Sequence, residues 1–324
     1  MIDAIVSADL MATAVGPNAL PQIYAVVAAG IRRRSQPLNV LICENLRWMS
    51  RIVRIGLLPY LPADYPLDER VGLIETSIGK MVPIMPEEIR QKDPTRIWAE
   101  AYHLLLVDQR GFIGEGAQID GMVAKANFDA YVDQKLFVHN LGHAAIAYWG
   151  DIVDAENPFI WKAISHSAVE KAVRGAMWES GAALIKAYPG EFNAQLQSEY
   201  IEDLIRRFKN RHLKDTRYRV GRDLLRKLGP EERLVGAAKI ALKHHIMPKY
   251  IAFAIAAGFR FRGKDESGEL FERDGCFHLE LERRGLPSLL ETVCGLSPQQ
   301  DGVLRELIER SYAILRGWRG DVDL

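Results

Sequence analysis

The sequence predicts an α/β chain: an incomplete parallel sheet, followed by a larger and mainly α-helical domain. Three observations carry this. Strand, helix and strand patterns succeed one another within residues 9–43, and helical patterns dominate from about residue 125. The chain has 324 residues with 48% hydrophobic composition, and single cores stop growing near roughly 250–300 residues, so two domains are expected. The division falls at 1–124 for the sheet part and 125–324 for the helical part.

Each element has a local reason. "DLMATAV" (9–15) is a short apolar run of strand length, broken by "GPN" (16–18). In "ALPQIYAVVAAGIRRR" (19–34), Ile23, Val26, Val27 and Ile31 keep helical spacing, and the arginines stand at the carboxyl end, where the helix dipole favours cations. "LNVLIC" (38–43) is a second strand, so the pair is parallel, joined by a helical crossover. In such sheets ligands sit beyond the carboxyl ends of the strands. Those ends are Gly16-Pro17-Asn18 and Glu44-Asn45. Asn45 is therefore a site candidate by position, with capping of the next helix as the alternative. "VGLIETSIGKMVPIMP" (71–86) reads as a further strand and its exit, and 99–124 is mixed, with turn signals. In the helical part, Ile201, Leu204, Ile205 and Phe208 recur at i, i+3, i+4, i+7. The last helix is expected to start at "SPQQ" (297–300), with Ser297 as N-cap, Pro298 at N1 and Gln300 closing a capping box.

Charge and cysteine content narrow the function classes. Lys+Arg and Asp+Glu both number 42, for a formal net charge of +0. That argues against nucleic acid as a main partner. Cys43, Cys276 and Cys294 are widely spaced and form no CxxC pair, so neither a disulfide framework nor a structural zinc site is indicated, and a reducing cytoplasm is the expected setting. "MIDAIVSADL" lacks the basic start of a signal peptide. The longest apolar run, "YIAFAIAAGF" (250–259), is about half the ~20 residues of a membrane span, so no membrane is expected.

The chemistry concentrates in "KLFVHNLGHAAIAYWG" (135–150). On an ideal α-helix Lys135, Asn140 and His143 sit at about 0°, 140° and 80°, over about 12 Å of axis, with His139 in the same sector. A partly desolvated Lys can serve as a general base. An Asn amide can donate to a developing alkoxide, and a His can bind or orient the same oxygen. The set suits removal of a proton from an alcohol as hydride leaves its carbon, with no metal. Spacing alone slightly favours a solvated helix face over a reaction site. Metal binding by His139 and His143 is disfavoured, because Asn140 stands where a zinc-protease helix needs Glu. A second cluster, Arg219, Arg222, Arg226 and Lys227, suits phosphate or carboxylate, or is a solvated charged loop.

"KLFVHNLGH" matches Lys-x-x-x-x-Asn-x-x-His, and with "DLMATAVGPNALPQI", "LNVLICEN", "KAVRGAMWESGAALIKAY" and "RVGRDLLRKL" the chain resembles the polyol-specific long-chain dehydrogenase/reductase family, nearest its mannitol-1-phosphate 5-dehydrogenase branch, over essentially its whole length. The resemblance implies a Rossmann-like nucleotide domain in 1–124 and a catalytic domain in 125–324. It implies nicotinamide-dependent, metal-independent oxidation of a polyol phosphate, with NAD, or NADP, as cofactor. By the same likeness Lys135 is the general base, Asn140 and Asn45 hold the alkoxide, and His143 orients the reacting oxygen. Arg219, Arg222 and Lys227 would contact the far end of the substrate, and Gly16, Pro17 and Asn18 the cofactor. Two departures stand out. Gly79 in "SIGKMVP" aligns with an acid in the family's "VDRIVP". No GxGxxG follows a strand, since "GFIGEG" (111–116) has the wrong spacing. The glycine-rich turn is thus expected to precede residue 1, with either the start codon assigned too late or the gene product truncated. The alternatives are a non-catalytic remnant that binds a polyol or a partner, and a family member acting on an unphosphorylated polyol or a uronate. Monomer and dimer both stay open.

Overall fold

A computed structural model describes residues 1–324 except Pro17, Ile84 and 318–324. The chain forms two compact units. The first comprises Met1–Lys80 and Ala101–Val132, the second Met81–Glu100 and Asp133–Leu324.

In chain order the first part of the molecule runs α1 (Ile2–Ser7), β1 (Leu10–Thr13), α2 (Leu20–Arg32), β2 (Leu38–Ile42), α3 (Met49–Leu57), α4 (Leu67–Arg70) and β3 (Val71–Ile78). There follow α5 (Glu87–Lys92), β4 (Leu105–Asp108), β5 (Met122–Lys125) and α6 (Phe128–Gln134). The five strands lie side by side in sequence order. β1, β2 and β3 are parallel, in the register Leu10↔Asn39 and Leu38↔Val71. The crossover pattern read over 9–43 is therefore present. β4 runs antiparallel to β3, and β5 parallel to β4. This outer pair turns back where only a mixed stretch was legible, because its strands have four residues each and little alternation.

The sheet holds because both faces of β2 are buried, as parallel strands require. Val40 and Ile42 face a cluster built with Leu20, Val27 and Ile31 of α2 and Met49, Val53 and Leu57 of α3. Leu41 points the other way, to Ile74 and Val107. Alternation with period two sends neighbouring residues into different cores. α3 starts at Met49 behind Trp48, so Asn45 caps no helix and stays exposed beyond β2.

The second unit is helical. A π-helical turn, Lys135–Asn140, leads into α7 (Leu141–Val153). Then come α8 (Ile160–Ser165), α9 (Ser167–Ala187), α10 (Ala194–Phe208), α11 (Arg217–Gly221), α12 (Leu224–Lys227), α13 (Val235–Lys243), α14 (Lys249–Arg260), α15 (Glu272–Thr292) and α16 (Gly302–Gly317). α7, α9 and α14 form the core, buried at Ala144–Trp149, at Val173, Ala176 and Met177, and at Ile251, Ala252, Ala254–Ala257 and Phe259. Small residues let them approach. A Cβ on Gly258 of α14 would meet the Tyr148 ring of α7 at 3.1 Å. Glu179 of α9 accepts the N–H groups of Tyr250 and Ile251 at 2.9 and 3.0 Å, supplying the acceptor that the start of α14 lacks. The stripe Ile201, Leu204, Ile205 and Phe208 is buried as its spacing requires.

Met81–Glu100 joins this unit through one buried ion pair. Arg207 of α10 donates to both oxygens of Glu100, at 2.9 and 2.6 Å, and the Met81 N–H donates to the same carboxylate at 2.6 Å. α16 begins five residues later than Ser297. Ser297–Gln300 forms a turn instead of a capping box: the Ser297 hydroxyl accepts from the Gln299 N–H, and Asp301 accepts from the Ser297 N–H. The local side-chain turn wins over the cap. Among the described residues no helix is long and apolar enough to cross a membrane.

Candidate active site

The single α-helix expected over 135–150 is in fact a π turn followed by α7. In a π turn the N–H of i+5 bonds to the carbonyl of i, so Lys135 and Asn140 stack one turn apart, as i and i+4 do in an α-helix. The ideal-helix angle of about 140° between them does not apply. Lys135, Asn140 and His143 are each half-buried, while Phe137, Val138, His139, Leu141 and Gly142 between them are buried. The polar face is thus only partly covered, and the rest of the segment is core.

Lys135 is desolvated, and Arg233 stands close enough to repel it. Burial first, and then that guanidinium, push its ammonium down to about 8. His139 is buried at 4% exposure, and its Nδ1 has no hydrogen-bond partner. Burial, followed by the charges of His143, Arg207, Lys135 and Arg233, holds it well below the usual imidazole value. His139 is therefore a neutral packing residue, set edge-on to Phe208 at 5.6 Å.

His143 lines a small cleft with Met81, Ile160, Trp161, Phe208 and Asp215. Its ring stacks on Phe208 at 5.0 Å, with 20° between planes. Its Nε2 lies 3.1 Å from Asp215 Oδ2. Asp215 also receives both arms of Arg219, Nε at 2.5 Å and Nη2 on the second oxygen. Burial would raise the Asp215 carboxyl, but hydrogen bonds and charge from His143 and Arg219 prevail and hold it at about 2.

The basic segment is largely neutralised from within. Arg219 is engaged by Asp215. Arg226 pairs with Asp223 and Glu232. Arg222 lies over the rings of Tyr218 and Phe271, at 5.2 and 5.6 Å. Lys227 is buried and donates to the Val220 carbonyl at 2.5 Å. Burial, with repulsion from Arg233 and Arg226, drives its ammonium well below the ordinary value. Arg219, Arg222 and Lys227 thus have separate partners and do not form one open patch.

In the first unit, Gly16 closes β1 at φ +85°, and a Cβ there would meet nothing within 4 Å. Asn18 is exposed in the turn that follows, and Pro17 lies outside the described residues. The N–H groups of Val15 and Gly16 both donate to Glu44, at 2.9 and 2.8 Å. Gly79 sits beside the Tyr102 ring. Among the described residues no group of three or more His, Cys, Asp or Glu could hold a metal ion. All three cysteines are free.

Sequence reasoning missed Asp215, Phe208 and Arg233 as parts of the site. A signal for the first existed: Asp215 and Arg219 are an i, i+4 pair of opposite charge. Arg233 follows the basic cluster at 219–227 but carries no local mark of its proximity to Lys135.

A mostly parallel sheet joined to a larger helical domain is the build of a two-part nicotinamide-dependent dehydrogenase. The mannitol dehydrogenase Rossmann domain matches residues 1–121, and the mannitol dehydrogenase C-terminal domain matches 127–286, so the chain belongs to the mannitol dehydrogenase family, a family of polyol dehydrogenases. Among solved structures, it is similar to a D-sorbitol dehydrogenase in substrate-free form, at 17% identity and a TM-score of 0.75, covering 97% of this chain and 75% of that one. It is also similar to the Pseudomonas fluorescens mannitol 2-dehydrogenase in ternary complex with NAD and D-mannitol, at 17% identity and a TM-score of 0.73, covering 97% and 74%.

Proposed function

We propose that the chain serves NAD-dependent oxidation of a secondary alcohol on a polyol, with Lys135 as general base. The observation that carries this is the half-buried Lys135 at the start of the π turn, its ammonium pushed down to about 8. A base whose value lies near working pH is best matched to accepting a proton. Lys135 Nζ takes the hydroxyl proton. The Asn140 amide donates to the oxygen as negative charge develops. His143 holds the same oxygen and fixes its direction.

NAD, when bound, accepts the hydride from the carbinol carbon. The turn at Gly16 and Asn18 fits the nicotinamide end, whose ring is cationic in NAD⁺: it lies beyond the carboxyl end of a parallel strand, and Gly16 is open. It does not suit a phosphate, because the Glu44 carboxylate already occupies the Val15 and Gly16 N–H groups. Gly16 and Asn18 would hold the cofactor by shape and backbone contact.

For the substrate we favour a polyol carrying an anionic group, with mannitol 1-phosphate oxidised to fructose 6-phosphate as the leading case. Support comes from Arg233, whose guanidinium repels both the Lys135 and the Lys227 ammonium, a repulsion that a bound anion would relieve. An unphosphorylated polyol is the second reading, because Arg219 is already committed to Asp215. Initial rates of NAD reduction with mannitol 1-phosphate, mannitol and fructuronate's reduced polyol acid separate the cases. A preference for mannitol over its phosphate would overturn the first. Absence of turnover with all three, together with no calorimetric binding of NAD, would overturn dehydrogenase function for this chain.

A further inference from the structure

Asp215 lies outside the Lys-Asn-His signature, yet the fold places it with care. Its backbone is clamped: its carbonyl accepts the Ile160 N–H at 2.9 Å, the Arg217 N–H donates to the Pro158 carbonyl at 2.7 Å, and Thr216 bridges to Phe159. Its side chain is 6% exposed and lies between His143 and Arg219.

We propose that Asp215 is the positioning residue for His143, accepting the Nε2–H so that the imidazole is held as the Nε2–H tautomer with Nδ1 turned toward the reacting oxygen. The inference rests on the reading of His143 as the group that holds that oxygen. An imidazole bonded to a carboxylate through one nitrogen has its tautomer and ring direction set by that bond. Two further contacts remove the remaining freedom. Phe208 stacks on the ring and limits its tilt. Arg219 takes both carboxylate oxygens and stops Asp215 from rotating away. Arg219 then acts through Asp215, as the second member of the support.

The groups around the pair fit this arrangement. His139, on the preceding turn, is neutral and adds no competing charge. Asp215 stays ionised far into acid, so the acceptor persists at every working pH. The hydroxyl's single proton is shared at first between the Nδ1 lone pair, which directs it, and Lys135 Nζ, which removes it, while the Asn140 amide meets the negative charge that develops.

Asp215→Asn makes the test sharp. Arg219 would claim the single amide oxygen, leaving the NH₂ group against Nε2 and forcing the Nδ1–H tautomer. The ¹⁵N spectra of histidine-labelled protein, with the His143 signal identified through His143→Gln, read this directly. We expect Nε2–H in the parent and Nδ1–H in a folded Asp215→Asn variant. Turnover should fall about 10²-fold with KM changed less than about 3-fold, as for a misdirected but still present contact. An Nδ1–H tautomer in the parent would overturn the proposal even if the variant failed to fold. An unchanged tautomer in a folded variant would also overturn it. If the parent oxidises no polyol, the functional reading fails on its own, and the spectra still decide the role of Asp215.

Discussion

At Lys135 burial and a like charge act in the same direction. Both disfavour the ammonium, so the neutral amine that the proposed base role needs is available at lower pH than in an exposed lysine. The rate of polyol oxidation should therefore rise with pH and level off above about 8. Replacing Lys135 by Ala should lower kcat by about 10³-fold, within the range that general base catalysis supplies. Arg233→Ala removes the repulsion but leaves the burial. The midpoint of the pH–rate profile should then move upward, because the protonated form is less disfavoured. An unmoved midpoint would show that Arg233 does not act on the base. Asp215 works in the opposite direction. Its folded value of about 2 lies below that of an ordinary carboxylate, so the folded state binds fewer protons than the unfolded state between roughly pH 4 and 2. Its contribution, about 2 kcal/mol, is present above pH 4 and lost as pH falls through 2. Denaturant titrations from pH 5 to pH 2 should show a shallower decline in Asp215→Asn than in the parent.

The element that matters most is the π turn, and here local patterning reaches a limit. The residues Lys135, Asn140 and His143 and their helical setting can be read from the chain, because hydrophobic spacing marks a buried helix face. The π turn has no such mark: its i to i+5 bonding differs from α only once the backbone register is set. α7 then packs closely on α9. A Cβ on Gly142 would lie 2.6 Å from Met177 Sδ. Gly142→Val should cost about 1–3 kcal/mol by overpacking, measured as a drop in denaturant midpoint. Because Gly142 sits between Asn140 and His143, the same change should lower kcat. A full-stability variant would contradict the close approach. The start of α16 shows a related limit. Ser297-Pro298-Gln299-Gln300 carries every letter of a capping box, but Asp301 binds the Ser297 N–H and a turn forms instead.

Across the whole molecule, the chain leaves the sheet unit at Met81, returns at Ala101 and leaves again at Asp133. The excursion is secured by Glu100 and Arg207, whose side chains are 5% and 8% exposed. Removing one member of a buried pair strands the other charge and costs about 3–5 kcal/mol. Glu100→Leu should therefore destabilise the helical unit and raise amide exchange at Met81 and its neighbours. Protection unchanged there would show that other contacts hold the segment. These two residues are 107 positions apart, and nothing near either one points to the other.

That separation divides what could be read early from what could not. The β1–α2–β2 crossover, a further strand near 71–78 and the helix bearing Lys135 follow from periods of two and of about 3.6 residues, which a chain displays over ten residues or so. The reversal at β4, the widened turn at 135–140, the desolvation of Lys135 beside Arg233 and the Arg219–Asp215–His143 chain depend on residues remote in sequence or on backbone register. Burial and charge interaction are properties of distance in space, and folding alone sets that distance.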